Sequence, residues 1–282
     1  MTASRPAGAV RSPLAELGTG AAWLVGLSAV AQMIALLFQS NPLAIVVLQA
    51  VVIDLALGRA GVRWDPEADA SEMERQKAAK RADGASSPAS KTDTARAVRG
   101  VAIGMGAAAG VIAAVMLAST AFGWARVSVH IPGTSLAIGL LRAIAVAVRD
   151  GLLYAGLPIT FVARAKGTPA AVAVVFGAAA AGSVLVLEPA ASPANVTLTA
   201  AVIAAAAALW HRERNGWMSA GLLFGWSFFA GTVMRGALMD VDWKSGSLTP
   251  GVTGAGAPAW IATVAFIGLA VWAFRGAGKP TQ

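Results

Sequence analysis

Eight separated apolar stretches constrain this chain more than any other feature, because each is close to the roughly 20 residues that a helix needs to cross about 30 Å of hydrocarbon. They lie at 20–38, 42–58, 100–122, 136–163, 169–187, 195–210, 217–236 and 258–274. Backbone N–H and C=O groups in lipid must be satisfied within the segment, so runs of this kind specify helices. The expected fold class is all-α, a polytopic transmembrane bundle of about eight spans. Composition agrees, with 57% apolar and 13% charged residues. Cysteine is absent and only 2 histidines occur, which excludes disulfides, thiolate nucleophiles and cysteine-ligated metals. No cofactor and no metal are expected.

Positive charge sets the expected orientation. Most of the 22 lysines and arginines flank the spans on one side. Arg126, Arg235 and Lys244 fall on the other side, and Arg142 and Arg149 lie within the fourth span. Both termini are therefore expected in the cytoplasm of a multi-pass cell-membrane protein whose first partner is the lipid bilayer. These flanks account for the net charge of +8. No basic patch interleaved with aromatics accompanies them, which argues against a nucleic-acid partner. Trp23, Trp210, Trp217 and Trp272 fall near the inner interface and Trp124 and Trp260 near the outer one, where indoles are favoured. Trp226 sits mid-span, where its N–H calls for a buried acceptor.

Residues 1–18 are rich in proline and alanine and are expected to be disordered. The apolar run that follows is too long for a signal-peptide core and reads as the first span. Two spans occupy 19–60, a charged cytoplasmic loop 61–98, a six-helix membrane domain 99–275 and a cytoplasmic tail 276–282. Within the loop, 68–82 reads as a polar helix supported by Glu72 with Arg75 and Glu74 with Lys77, and 84–90 as a solvated linker. Glycines repeat at four residues in Gly100 with Gly104, Gly106 with Gly110, and Gly221 with Gly225. Each pair makes one helical face on which another backbone can pack closely.

The costly residues lie in the fourth span. Arg142, Arg149 and Asp150 form a polar intramembrane cluster, and a charge at mid-membrane depth needs a partner or a purpose. Arg142 and Arg149 are two turns apart on one face, while Asp150 points about 100° away, so Arg149 and Asp150 are not expected to pair simply. Asp54 reads as interfacial. Ser183, Thr197, Thr199, Ser219, Ser227 and Thr232 are expected to bond their own helix backbones. His130 and His211 read as interfacial residues of opposite surfaces.

The run Asp150-Gly151-Leu152-Leu153-Tyr154-Ala155-Gly156-Leu157, followed by Trp217 and Gly221-Leu222-Leu223-Phe224-Gly225-Trp226-Ser227-Phe228, resembles the motifs of the CAAX protease and bacteriocin-processing (Abi) superfamily of glutamic-type intramembrane proteases. The resemblance covers about 136–274 and implies a CAAX-protease-like helical core. It also implies that Asp150 stands where relatives carry a catalytic glutamate. The reactive positions have degenerated. Gly151 replaces the second acid, Ala155 the arginine, Leu223 a histidine and Ser227 an asparagine, and Ser183 lies near the position of another histidine. In active relatives a carboxylate activates water while histidines and an asparagine stabilise the oxyanion, and losing one such donor costs about 100-fold to 1000-fold in rate.

Three functions follow as expectations. The leading one is a pseudoprotease, a binding or accessory membrane subunit that engages another membrane protein or a hydrophobic peptide. In the second, Asp150 is the general base of an active endopeptidase acting on a hydrophobic or prenylated peptide. In the third, Arg142, Arg149 and Asp150 line the polar path of a transporter.

Overall fold

The computed structural model describes residues 12–66, 91–129, 131, 133–186, 192–244 and 256–276. The helices are α1 (Pro13–Leu37), α2 (Pro42–Arg59), α3 (Lys91–Ala121), α4 (Thr134–Asp150), α5 (Leu157–Arg164), α6 (Ala170–Val186), α7 (Pro193–Glu213), α8 (Trp217–Phe228) and α9 (Ala257–Gly276). A π-helical turn, Gly151–Gly156, joins α4 to α5, and a second, Phe229–Val233, extends α8. Two strands, β1 (Ala125–Val129) and β2 (Met239–Trp243), complete the described elements.

Length and composition suit α1, α2, α3, α7 and α9 to crossing a membrane, with shorter apolar helices at Ala170–Leu185 and Trp217–Val233. The chain is thus a multi-helix membrane protein. Three helix starts share one local signature, a polar residue followed by proline. Ser12, Asn41 and Ser192 each accept a hydrogen bond from a backbone N–H three residues on, and the following proline occupies the first helical position, where no N–H is needed. That signature corrects the expectation of a disordered N-terminus to residue 18, since α1 begins at Pro13. Likewise α3 begins at Lys91, inside the expected loop 61–98, because the polar turns before the span continue its helix. The expected helix at 68–82, the linker at 84–90 and His130 lie outside the described residues.

The all-α expectation holds for the architecture, with one short two-stranded ribbon added to the helices. β1 and β2 pair antiparallel with Arg126 opposite Asp242 and Ser128 opposite Asp240, and Lys244 N–H donates to the Trp124 carbonyl at 2.8 Å. Both segments alternate polar and apolar residues, the period of a strand, within what read as loops. The sheet marks one end of the bundle. Chain order puts the C-terminal ends of α2, α5 and α7, with Arg59, Arg164 and Arg212, at the opposite, basic end.

α7 is the bundle's central helix. About two-thirds of its apolar window is buried, against 17–39% for the other four long spans. Alanine makes this possible: Ala201 and Ala205 to Ala208 are buried, and their single methyl groups let neighbouring helices approach. α3 and α8 meet through the glycines foreseen in the sequence. A Cβ on Gly104 would strike the Met218 carbonyl, one on Gly221 would strike Val101, and one on Gly225 would lie 3.0 Å from Met105 and Ala108. Gly106 and Gly110 differ. Nothing lies within 4 Å of a Cβ at either, so among the described residues that pair packs against no helix.

Candidate functional site

Pro158 shapes the site. A proline in a helix interior withholds the N–H that would bond to the carbonyl four residues earlier, here that of Tyr154, and its ring crowds that carbonyl. The chain answers with the π turn Gly151–Gly156, in which Leu157 N–H reaches back to Leu152. The Tyr154 carbonyl turns toward α6, where Gly177 leaves room that a Cβ would close. The interruption falls immediately after Asp150.

Arg149 and Asp150 form an ion pair. Arg149 Nε donates to Asp150 Oδ1 at 2.6 Å and Nη2 donates to Oδ2 at 3.2 Å, so one guanidinium engages both carboxylate oxygens. The expectation that adjacent helix residues would not pair is therefore corrected. The 100° between them fixes only the Cα–Cβ directions, and the long arginine side chain folds across the helix surface to bring its planar fork to the carboxylate.

The same guanidinium reaches a second helix. Arg149 Nη1 donates to Gln49 Oε1 at 2.7 Å, and Gln49 Nε2 donates to the Ala31 carbonyl of α1 at 2.7 Å. Gln49 is 5% exposed, and the Arg149 and Asp150 side chains are 25% and 17% exposed. Tyr154, one turn beyond Asp150, is buried and lies within electrostatic reach of both charges. The polar groups of α1, α2 and α4 thus satisfy one another across three helices.

The substituted positions meet beside this network. A Cβ on Gly151 would lie 3.0 Å from the Trp64 ring and 3.5 Å from Leu223 Cδ1, so Gly151 and Leu223 are neighbours with the indole packed over them. Trp64 stacks on Trp210 and Trp217, with ring centroids 5.1 and 6.0 Å away. The Trp64 carbonyl accepts a 2.6 Å hydrogen bond from Gly216 N–H. Gly156 accommodates the Trp210 ring, which would come within 2.6 Å of a Cβ there. Three glycines and three indoles therefore fill the space next to Asp150 on its basic side.

Ala155 is fully buried and Leu223 nearly so, and neither brings a polar group. Ser227 is half-buried on α8. Ser183 is exposed and donates to the Ala180 carbonyl at 2.8 Å, the back-bonding expected of it. Thr197 behaves likewise toward Pro193 and Ala194. Ser219 departs from that expectation, since its hydroxyl is buried with no hydrogen-bond partner among the described residues. His211 packs against Phe274, 5.5 Å between ring centroids, at the basic end. Trp226 meets Phe266 edge to face at 5.3 Å.

Arg142 stands outside the Arg149 network. It is exposed on α4, and its charge acts on Arg235 beyond the second π turn. The structure therefore divides the cluster read from the sequence into a closed network at Arg149 and Asp150 and a separate arginine nearer the sheet. Sequence reasoning missed Gln49 and Trp64. Gln49 was legible as a strong polar side chain inside an apolar span, and Trp64 as a large ring beyond a helix end in a chain rich in glycine. No family model, curated protein or solved structure matches this chain.

Proposed function

We propose that this chain is an integral membrane binding or accessory subunit that lacks peptidase activity, a degenerate relative of the CAAX-protease-like superfamily. The observation that carries this reading is the engagement of both Asp150 oxygens by Arg149. A general base needs a lone pair within reach of water and donors placed where negative charge develops. Here each Asp150 oxygen already accepts a hydrogen bond from Arg149, and the motif positions Gly151, Ala155 and Leu223 offer no donor. The Trp64 ring covers Gly151 and excludes water from that side. The ligand class that suits such a surface is apolar, either a hydrophobic or lipid-linked peptide or a helix of another membrane protein.

Purified protein in proteoliposomes, incubated with prenylated and unprenylated hydrophobic peptides, tests the reading. The expected result is no cleavage above the protein-free rate. Turnover that disappears in Asp150→Ala would overturn it and establish the endopeptidase instead.

A further inference from the structure

The β1–β2 ribbon is amphipathic. Residues opposite one another in an antiparallel pair share a face of the sheet, and successive residues alternate between faces. The register puts Ala125 with Trp243, Val127 with Val241 and Val129 with Met239 on one face, all of them apolar. The other face carries Arg126 with Asp242 and Ser128 with Asp240, and all four of these residues are exposed.

The bundle uses only part of the apolar face. Ala125 and Val241 belong to the main core, at 4% and 7% exposure, and Trp243 packs against it. Exposure then climbs along β1 to 40% at Val127 and 74% at Val129, and Ile131 beyond the strand reaches 94%. One face thus rests on the helices at one end and runs past their rim at the other. Chain connections tie both ends of the ribbon to helix ends. β1 starts four residues after α3, Thr134 opens α4 five residues after Val129, and Arg235, just past the π extension of α8, bridges to Asp240. The ribbon therefore lies across the end of the bundle, with its apolar face turned toward the membrane.

The helix surfaces on either side of the overhang face lipid. Leu117 and Phe122, at the end of α3, are 73% and 68% exposed, and Phe122 stacks on Trp124 at 4.9 Å, an aromatic pair of the kind favoured at a bilayer interface. Ile138, Leu141 and Ile144 form an exposed apolar strip on α4, and three residues of chain keep Ile131 within about 11 Å of that helix's start. Apolar exposure is therefore continuous from the spans to the rim of the ribbon, while the charged face looks away from it. A second copy is poorly placed to cover the overhang. Copies inserted in the same sense turn this face toward the membrane in the same direction, so two such faces do not meet.

We propose that the β1–β2 ribbon is an interfacial anchor whose overhanging edge, Val127, Val129 and Ile131, sits in the boundary between headgroups and acyl chains of the adjoining leaflet. The partner is the lipid surface itself, held by apolar contact with the polar face left in water. The anchor is independent of Asp150 and of any peptidase question.

The chain has no cysteine, so Leu117→Cys, Val129→Cys, Ile131→Cys and Asp242→Cys each introduce a single attachment point for a nitroxide. All four positions are exposed, so the label displaces no packed side chain. The full chain is reconstituted in phosphatidylcholine vesicles, and collision rates are measured with oxygen, which concentrates in hydrocarbon, and with a water-soluble nickel chelate. The label replacing Leu117 gives the lipid reference and the one replacing Asp242 the water reference. Labels replacing Val129 and Ile131 are expected to raise the oxygen-to-nickel ratio about threefold or more above the water reference, as for an apolar face held in the interface. A lipid-like ratio at Val129 with a water-like one at Ile131 supports the anchor and sets its edge between them. Ratios at both positions equal to the water reference overturn it. Exclusion of both reagents, with spin–spin broadening that vanishes on dilution with unlabelled protein, assigns the face to a second copy and overturns it as well.

Discussion

Arg149 decides what Asp150 can do. Three of its five N–H donors go to the two Asp150 oxygens and to Gln49, and Gln49 in turn anchors to α1. Gln49→Leu should leave one guanidinium N–H without its acceptor, a cost of about 1–3 kcal/mol, visible as a lowered unfolding temperature in detergent. A temperature unchanged from wild type would show that water replaces the amide. Trp64→Ala should remove a ring packed against Gly151, Gly216, Trp210 and Trp217, at a cost of about 3–5 kcal/mol. The charged residues of this site were legible in the sequence, because an arginine and an aspartate in an apolar run cannot escape notice. Their pairing was not, because helical geometry constrains the start of a side chain and leaves the end of a long one free.

At the scale of elements, glycine pairs with the same spacing play opposite parts. Gly104 and Gly221 let α3 and α8 backbones touch, whereas Gly106 on the same α3 faces open space. Gly104→Val is expected to destabilise the fold by about 1–3 kcal/mol or prevent folding, while Gly106→Val stays within about 0.5 kcal/mol, both read from chemical or thermal unfolding. Equal effects would mean that the α3–α8 contact is looser than the packing implies. Spacing announced all three pairs, but it cannot say which face of a helix finds a neighbour. The helix starts at Pro13, Pro42 and Pro193 were written locally in their capping residues. The π turn was written there too, in Pro158, although its effect depends on Gly177 of another helix making room for the Tyr154 carbonyl. The strands escaped notice because five-residue alternations are brief beside spans four times longer.

For the whole molecule, chain order from the β1–β2 sheet places Ser128 and Lys166 at opposite ends. The protein has no cysteine, so single substitutions report cleanly on sidedness. Ser128→Cys and Lys166→Cys are expected to react with a membrane-impermeant maleimide from opposite faces of the membrane. With the charge distribution read by the positive-inside rule, Lys166→Cys is expected to be the one labelled from the cytoplasmic face. Labelling of both from one face would contradict the path of the chain through the bundle. What the overall sequence could not express is how the eight apolar stretches assort around α7. Alanine and glycine permit many close contacts, and only the assembled bundle selects among them.

The claim beneath this account is that Asp150 is closed off by Arg149 rather than held ready for water. A double-mutant cycle of Arg149→Met and Asp150→Leu, followed by reversible unfolding in mixed micelles, measures that pairing directly. The side chains retain partial exposure, so the expected coupling is about 1–2 kcal/mol, below the cost of breaking a fully buried pair, with the double variant more stable than the less stable single one. Additive single effects, with no coupling beyond about 0.5 kcal/mol, would contradict the account and return Asp150 to the list of groups free to do chemistry.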